Sequence, residues 1–345
     1  VEYLIQLGEF TREYDEHLFE EDYMDYLKGE ASEFTNAWGM PKSIRKNAQK
    51  IDSIIKDVRV ADPAIGSGAF PLGMLNEIVK VRNILTQYIL FEEALKNEKL
   101  DLDIYKTLRY RIYNSRSLYN LKIETIENSL YGVDIEPSAV DIAKLRLWLS
   151  IVVDTRDNDI RPLPNLDFNF MVGNSLIDEF DGVQLFDEKL LTKRLKETYT
   201  ETTNKFFNAP TGYQKDLFGG IETLKADIII DLGKYHKAFF KERNTDKKKE
   251  IKNEIEKLEW LLITETLIAS GNQSKIKELE NLKQQKRKPY FLWKLEFAKV
   301  FQEKNGFDIV IGNPPYIGFH NVPNKEINKR LFYSANGKYD FYVLF

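Results

Sequence analysis

Apolar and polar positions change rhythm several times along this chain, and the changes mark its elements. Val58 to Ala61 is a short apolar run closed by Asp62, which predicts a strand. From about Ala69 to Leu90, residues Leu72, Leu75, Ile78, Val79 and Val81 recur at helical spacing and give one buried face. Residues 91–127 are charged and read as helical. Ser129 to Val133, ending at Asp134, predicts a second strand. Pro137 suits the first turn of the next helix, which runs to about Val153 with Val140, Ala143, Leu147 and Ile151 on one face. Phe168 to Val172 predicts a third strand, ending at Gly173-Asn174-Ser175-Leu176. In the polar tract from 180 to 300, Ile251, Ile255, Leu258 and Leu262 recur at three- and four-residue steps. Ile276, Leu279 and Leu282 do the same beyond Gly271-Asn272, so the tract predicts a helical hairpin of coiled-coil character. Its expected role is a packed insertion without catalysis. Asp308 to Gly312 predicts a fourth strand, expected to be buried because β-branched residues dominate it.

This order of strands and helices is an α/β pattern. Residues 1–55 form a mostly helical N-terminal segment, in which Tyr23, Tyr26 and Leu27 have helical spacing before breaks at Gly39 and Pro41. Residues 56–179 carry the first part of the α/β domain, with a helical insertion at about 91–127. Residues 180–303 are the second, longer insertion, and 304–345 resume the domain. Pro289-Tyr290-Phe291-Leu292-Trp293 is dense in aromatics and is expected to dock that insertion on the core.

Two loops carry chemistry. In Asp62-Pro63-Ala64-Ile65-Gly66-Ser67-Gly68, the two glycines allow close backbone approach, and the loop opens a helix whose N–H groups favour a carboxylate or a phosphate. It lacks the Lys-[Ser/Thr] ending of a P-loop. In Gly312-Asn313-Pro314-Pro315-Tyr316, two prolines stiffen a turn at the end of a strand. There the Asn313 side chain and the Pro314 carbonyl offer two acceptors, and Tyr316 offers an aromatic face. That combination suits an amino group on a flat ring. Asp134 ends the second strand and can accept from vicinal ribose hydroxyls, or serve as a helix N-terminal charge beside Glu136. Asn174 ends the third strand, where a plain turn former is the rival reading.

Composition narrows the chemistry. With 345 residues and 43% apolar content the chain is globular. It has no cysteine, and His17, His236 and His320 are far apart, so no metal site is expected. It shows no bilayer-spanning run and no basic, apolar leader, so the cytoplasm is the expected compartment. The net charge is −4, and the first thirty residues are acidic. Lys247-Lys248-Lys249 and Lys286-Arg287-Lys288 are the basic clusters. A protein that grips duplex DNA by its phosphates should be basic, so any such grip is expected mainly outside this chain.

Together the loops resemble those of the amino-methyltransferases of DNA, which carry D-P-A-x-G-S-G-x-F and N-P-P-Y motifs. Asp62 to Phe70 match the first in full, and Asn313 to Tyr316 match the second. The wider resemblance is to the methylases of type IIG restriction–modification systems and covers most of residues 56 to 345. It rests also on Tyr131-Gly132-Val133-Asp134-Ile135-Glu136-Pro137, on the run Pro289 to Phe301, and on Lys338 to Phe345. The resemblance implies a Rossmann-like, S-adenosylmethionine-dependent methyltransferase sheet with large helical insertions. Asp62 would face the cofactor's ammonium, and the backbone of Ala64 to Gly68, with Pro63 and Ser67 in the loop, its carboxylate. Asp134 would hold the ribose, Ile135 would pack on the adenine, and Asn174 would hold the adenine amino group. The catalytic group would be Asn313, Pro314, Pro315 and Tyr316, acting on N6 of an adenine flipped out of double-stranded DNA.

The sheet of this family has more strands than the four placed here, and the upstream cofactor motif and target-recognition domain are not found. The start at Val1 and an end inside an expected amphipathic helix suggest a piece of a longer protein. No convincing nuclease motif is found. Two alternatives differ in kind: methylation of a glutamine amide on a protein, since those enzymes also use N-P-P-Y, and a non-catalytic cofactor-binding or specificity module.

Overall fold

The computed structural model describes residues 47–96, 102–153, 166–180, 182–185, 221–242, 244–284 and 288–345. The expectations for Tyr23, Tyr26, Leu27, Gly39 and Pro41, and for Lys286 and Arg287, lie outside them. In chain order the elements are α1 (Ala48–Lys56), β1 (Val60–Asp62), α2 (Ala69–Leu95), α3 (Leu102–Ser115), α4 (Leu118–Ser129), β2 (Leu130–Asp134), α5 (Pro137–Val152) and β3 (Phe170–Val172). There follow β4 (Glu179–Phe180), β5 (Val183–Gln184), α6 (Ile221–Lys241), α7 (Thr245–Ala269), α8 (Ser274–Gln284), α9 (Trp293–Glu296), α10 (Ala298–Lys304), β6 (Ile309–Val310) and α11 (Lys325–Leu331). Short 3-10 turns lie at Phe319–Asn321, Tyr333–Ala335 and Phe341–Leu344.

Four strands form one sheet in the order β3-β2-β1-β6, and β4 pairs antiparallel with β5. Both neighbours of β1 run parallel to it: Val60 pairs with Leu130 and Ile309, and Ala61 with Tyr131 and Val310. The order reverses direction at β1, since the chain first adds strands on one side and then returns to the other. This is the half-sheet pattern of doubly wound folds, which bind ligands at the reversal, beyond the carboxyl ends of the strands.

The described chain divides into two compact units interleaved in sequence. The first contains the described residues up to Gly132, with Asp141–Asn169 and Asp308–Ile311. The second contains Val133–Val140, Phe170–Phe307 and Gly312–Phe345.

In the first unit β1 is buried throughout, and the inner face of α5 is buried as its spacing predicts, at Ala143, Leu147 and Ile151. α1 packs on α2 through Ala48, Ile51 and Ile55 against Val81, Leu85 and Tyr88. A charge network ties α1 to α2 and α4. Asp52 accepts from Arg82 Nε at 3.0 Å and from both Nη atoms of Arg116 at 2.7 Å. Arg82 Nη2 also reaches Glu124 at 2.8 Å. Burial pushes the Asp52 carboxyl up, but the bonds from Arg116 and Arg82 outweigh it and hold the carboxyl below its usual range.

In the second unit α7 packs chiefly along α6, with Ile228, Leu232 and Phe239 buried on one helix and Ile255, Leu262 and Leu267 on the other. The sequence pattern singles out α7 and α8 as the hairpin. The turn at Gly271 is there, with φ +76°, but the long helical partner is α6. α8 is short and buries Leu279.

Two expectations are corrected. β6 is not buried: Ile309 is 39% and Val310 is 64% exposed. β-Branched residues report a preference for extended backbone, not coverage, and among the described residues β6 lies at the edge of the sheet with β1 as its neighbour. The segment Phe341–Leu344 is a single 3-10 turn rather than part of an amphipathic helix. It packs with its neighbours into a local cluster of Val322, Ala335, Tyr339 and Leu344.

Candidate functional site

The glycine loop of the first unit starts where β1 ends. Asp62 is buried, and its Oδ1 accepts the Ala64 N–H at 3.0 Å, turning the chain off the strand. Gly66 and Gly68 have φ of +51° and +80°, the left-handed region that favours glycine. The Gly68 N–H donates to Ile65 O at 2.9 Å. Of the loop's backbone donors, those of Ala64 and Gly68 are therefore engaged inside the loop. A Cβ on Gly68 would lie 2.9 Å from Ala143 Cβ, so α5 approaches the loop as closely as two backbones allow. Gly132 on β2 is needed for a similar reason, because Ile65 Cδ1 would be 2.4 Å from a Cβ there. The loop is thus seated on β2 by Ile65 and on α5 by Gly68. Next to Gly66 the space is open, its nearest neighbour for a Cβ being Ala64 O at 4.0 Å.

In the same unit the contact between the β1 and β6 segments continues past Ile309–Val310 on both sides. Arg59 N–H donates to Asp308 Oδ2 at 2.7 Å, and Ile311 N–H donates to Ala61 O at 2.9 Å. β1 and β6 therefore end side by side, and the chain leaves β6 directly into Gly312 and Asn313.

In the second unit Asp134 closes β2, and its Oδ1 accepts the Glu136 N–H at 2.9 Å, which makes it a turn former at the start of α5. Ile135 beside it is 60% exposed. Asn174 follows β3 and accepts the Leu176 N–H at 3.3 Å, so it too shapes its own turn. A strap from Lys288 to Trp293 grips this turn. Asn174 N–H donates to Lys288 O at 3.0 Å, Phe291 N–H to Ile177 O at 2.7 Å, and Trp293 Nε1 to Ser175 O at 2.9 Å. Gly173 lets the strap close, because a Cβ there would lie 2.8 Å from Tyr290 O. The aromatic run therefore docks onto the third strand end, and Phe291 and Trp293 stack edge-on at 5.1 Å.

The Asn313–Tyr316 turn also belongs to this unit. Asn313 and Pro315 are exposed. Ile317 N–H donates to Pro315 O at 3.0 Å, a tight turn centred on Tyr316. Tyr316 is 79% exposed, and its ring lies 5.7 Å from that of Tyr342. The segment carrying Tyr342 is tied back by Phe341 N–H to Ile317 O at 2.9 Å, and by Asp340 Oδ1, which accepts the Phe319 N–H at 3.0 Å.

Residues 128–345, more than half of the chain, match the family of the Eco57I restriction-modification methylase. The chain belongs to this family. It is 29% identical over 315 residues to a putative type II restriction enzyme and methyltransferase of Methanocaldococcus jannaschii, covering 84% of this chain and 24% of that protein. It is 30% identical over 142 residues to the type II restriction enzyme and methyltransferase RM.Eco57I of Escherichia coli, covering 40% of this chain and 13% of that protein. The chain thus spans about a quarter or less of the length of these relatives. No solved structure matches it.

The matched stretch holds Asp134, Ile135, Asn174 and the Asn313–Tyr316 turn, while the glycine loop precedes it. Sequence reasoning missed the groups that hold these loops: Gly132, Gly173, Arg146 and Tyr342. Tyr342 lies in the segment Lys338–Phe345, where the aromatic alternation was the available signal. Arg146 gave none. Among the described residues no helix is long and apolar enough to cross a membrane.

Proposed function

We propose that this methylase carries the centre that moves a methyl group from S-adenosylmethionine to N6 of adenine in double-stranded DNA, within a restriction–modification system. The observation that carries the reading is the reversal of strand order at β1. At the two strands that flank the reversal, β1 runs into the glycine loop and β6 runs into Asn313-Pro314-Pro315-Tyr316. Parallel open sheets bind ligands at such a point. One loop has the character of an anion cradle, and the other presents acceptors and an aromatic face.

The glycine loop takes the amino-acid end of the cofactor, with Asp62 facing the ammonium and the backbone of Ala64 to Gly68 facing the carboxylate. The open space at Gly66 fits such a ligand. Asp134 accepts from the ribose, the exposed Ile135 covers the adenine, and Asn174 meets its amino group. When bound, the cofactor supplies an electrophilic methyl on sulfonium.

The target amine is a poor nucleophile, because its lone pair is delocalised into the ring. Asn313 Oδ1 and the Pro314 carbonyl accept its two hydrogens, favour a pyramidal nitrogen, and stabilise positive charge as it develops. Pro314 and Pro315 hold these acceptors in place, so little reorganisation is needed during the reaction. Tyr316 stacks on the flipped base, and Tyr342 backs its ring.

The test uses the complete protein, unmethylated DNA of varied sequence, and labelled S-adenosylmethionine. After digestion to nucleosides, mass spectrometry should find the label in N6-methyl-2′-deoxyadenosine. Label in N4-methyl-2′-deoxycytidine would move the same chemistry to another base. Label in protein and none in DNA would overturn the reading.

A further inference from the structure

One turn beyond Ala143, Arg146 leaves α5 and reaches the glycine loop seventy-nine residues earlier in the chain. Its Nη1 donates to the Ser67 hydroxyl oxygen at 2.9 Å and to the Ser67 carbonyl at 3.1 Å. We infer that Arg146 is a positioning residue for the cofactor loop, an inference that rests on the cofactor reading given above.

Ser67 sits between two glycines with positive φ. Glycine visits both halves of φ, so the loop's own backbone does little to choose which way the Ser67–Gly68 peptide faces. Two bonds make the choice. Ile65 O holds the N–H end of this peptide, through Gly68, at 2.9 Å. Arg146 holds the carbonyl end, from the opposite side. The carbonyl is thereby drawn towards α5, and the peptide is held at both ends.

Arginine is always charged and has no acceptor, so the Ser67 oxygen must receive its bond. The Ser67 hydroxyl hydrogen is then left to act as a donor within the loop. Arg146 thereby converts a flexible glycine turn into a fixed set of donors suited to a carboxylate, the group at the amino-acid end of S-adenosylmethionine. The contact gives Arg146 no direct role at the nucleoside end.

Calorimetric titration of the complete protein with two ligands tests this. S-adenosylhomocysteine carries the amino-acid end, and 5′-methylthioadenosine has the same nucleoside without it. Arg146→Met should raise the Kd for S-adenosylhomocysteine by roughly tenfold to a hundredfold, the scale of losing bonds from a charged donor. The Kd for 5′-methylthioadenosine should change by less than about twofold, and the Tm without ligand should hold. Arg146→Lys should restore part of the loss, since one ammonium can serve both Ser67 oxygens. Unchanged S-adenosylhomocysteine binding in Arg146→Met overturns the inference and leaves the cofactor reading standing. So does a parallel loss of both ligands with a fall in Tm, which marks a merely structural arginine. If the unmutated protein binds neither ligand, the cofactor reading itself fails, and this inference with it.

Discussion

Replacing Gly68 by alanine perturbs the cofactor loop at the point where backbone conformation and helix packing coincide. The residue caps α2 in a left-handed conformation, with φ 80° and ψ 25°. An L-residue there costs about 1–2 kcal/mol. The new Cβ would also lie 2.9 Å from Ala143 Cβ and 3.0 Å from Ala143 Cα. The obstacle is helix backbone, not the tip of a flexible side chain, so α5 must withdraw by several tenths of an ångström. That helix is anchored by the buried Val140, Leu147 and Ile151, and forcing a packed core apart costs about 1–3 kcal/mol. The two effects sum to about 2–5 kcal/mol. Withdrawal of α5 also pulls Arg146 from Ser67, so cofactor affinity should fall beyond what the stability loss explains. Gly73 provides the control. It lies inside α2, where an added methyl would meet nothing within 4 Å, and alanine there should stabilise by about 0.5–1 kcal/mol. Urea denaturation of both variants, with titration of S-adenosylhomocysteine, reads the difference. A Gly68→Ala protein as stable as the parent, with the same affinity, would refute the packing argument.

Gly173→Ala should destabilise by about 1–3 kcal/mol and loosen the strap around Asn174, because a Cβ would meet Tyr290 O at 2.8 Å; an unchanged urea midpoint would show that the strap does not grip. Asp52→Ala should cost about 3–5 kcal/mol, since it leaves the buried Arg82 and the half-buried Arg116 without their shared carboxylate. A loss under about 1 kcal/mol would show that the network is neutral to the fold. Burial lowers the His236 pKa to about 4, against the opposing charge of Glu296. The unfolded chain therefore takes up a proton from about pH 6.5 downward while the folded chain does not. The contribution is fully present above pH 6.5 and is lost as pH falls, by about 2 kcal/mol at pH 5. A stability profile from pH 7 to 5 should flatten in His236→Leu, and an unaltered slope would contradict this.

The four strands of the parallel sheet were legible because each is a short apolar or β-branched run that ends at a residue with turn chemistry, whereas the two-residue strands β4 and β5 are too short to leave a pattern. The starts of β2 and α5 fall within a residue of their expected places, and Pro137 does open its helix. Asp62, Asp134 and Asn174 announced strand ends, and each proves to shape its own turn through a bond to a backbone N–H two residues on. That local role and a ligand role are compatible, because a carboxylate or amide oxygen has more than one lone pair. What pattern could not reveal was long-range. Arg146 reads as one more charge on a helix, since its partner lies seventy-nine positions away. The need for glycine at 132 and 173 comes from Ile65 and Tyr290, which only the folded chain brings near. The exposure of β6 likewise depends on which neighbours a strand has, and a β-branched run carries no record of them.

The central claim, that the Asn313 turn acts on the target amine, is tested most directly by single-turnover methylation of DNA by the complete protein and its Asn313→Ala variant. Asn313 is exposed and follows an edge strand, so removing its amide should leave the Tm and the cofactor Kd nearly unchanged. The account predicts a fall in the methyl-transfer rate of about a hundred- to a thousand-fold, the cost of one acceptor that strengthens in the transition state. A variant that methylates at the parent rate, or one whose rate falls only in step with its Tm, would contradict it.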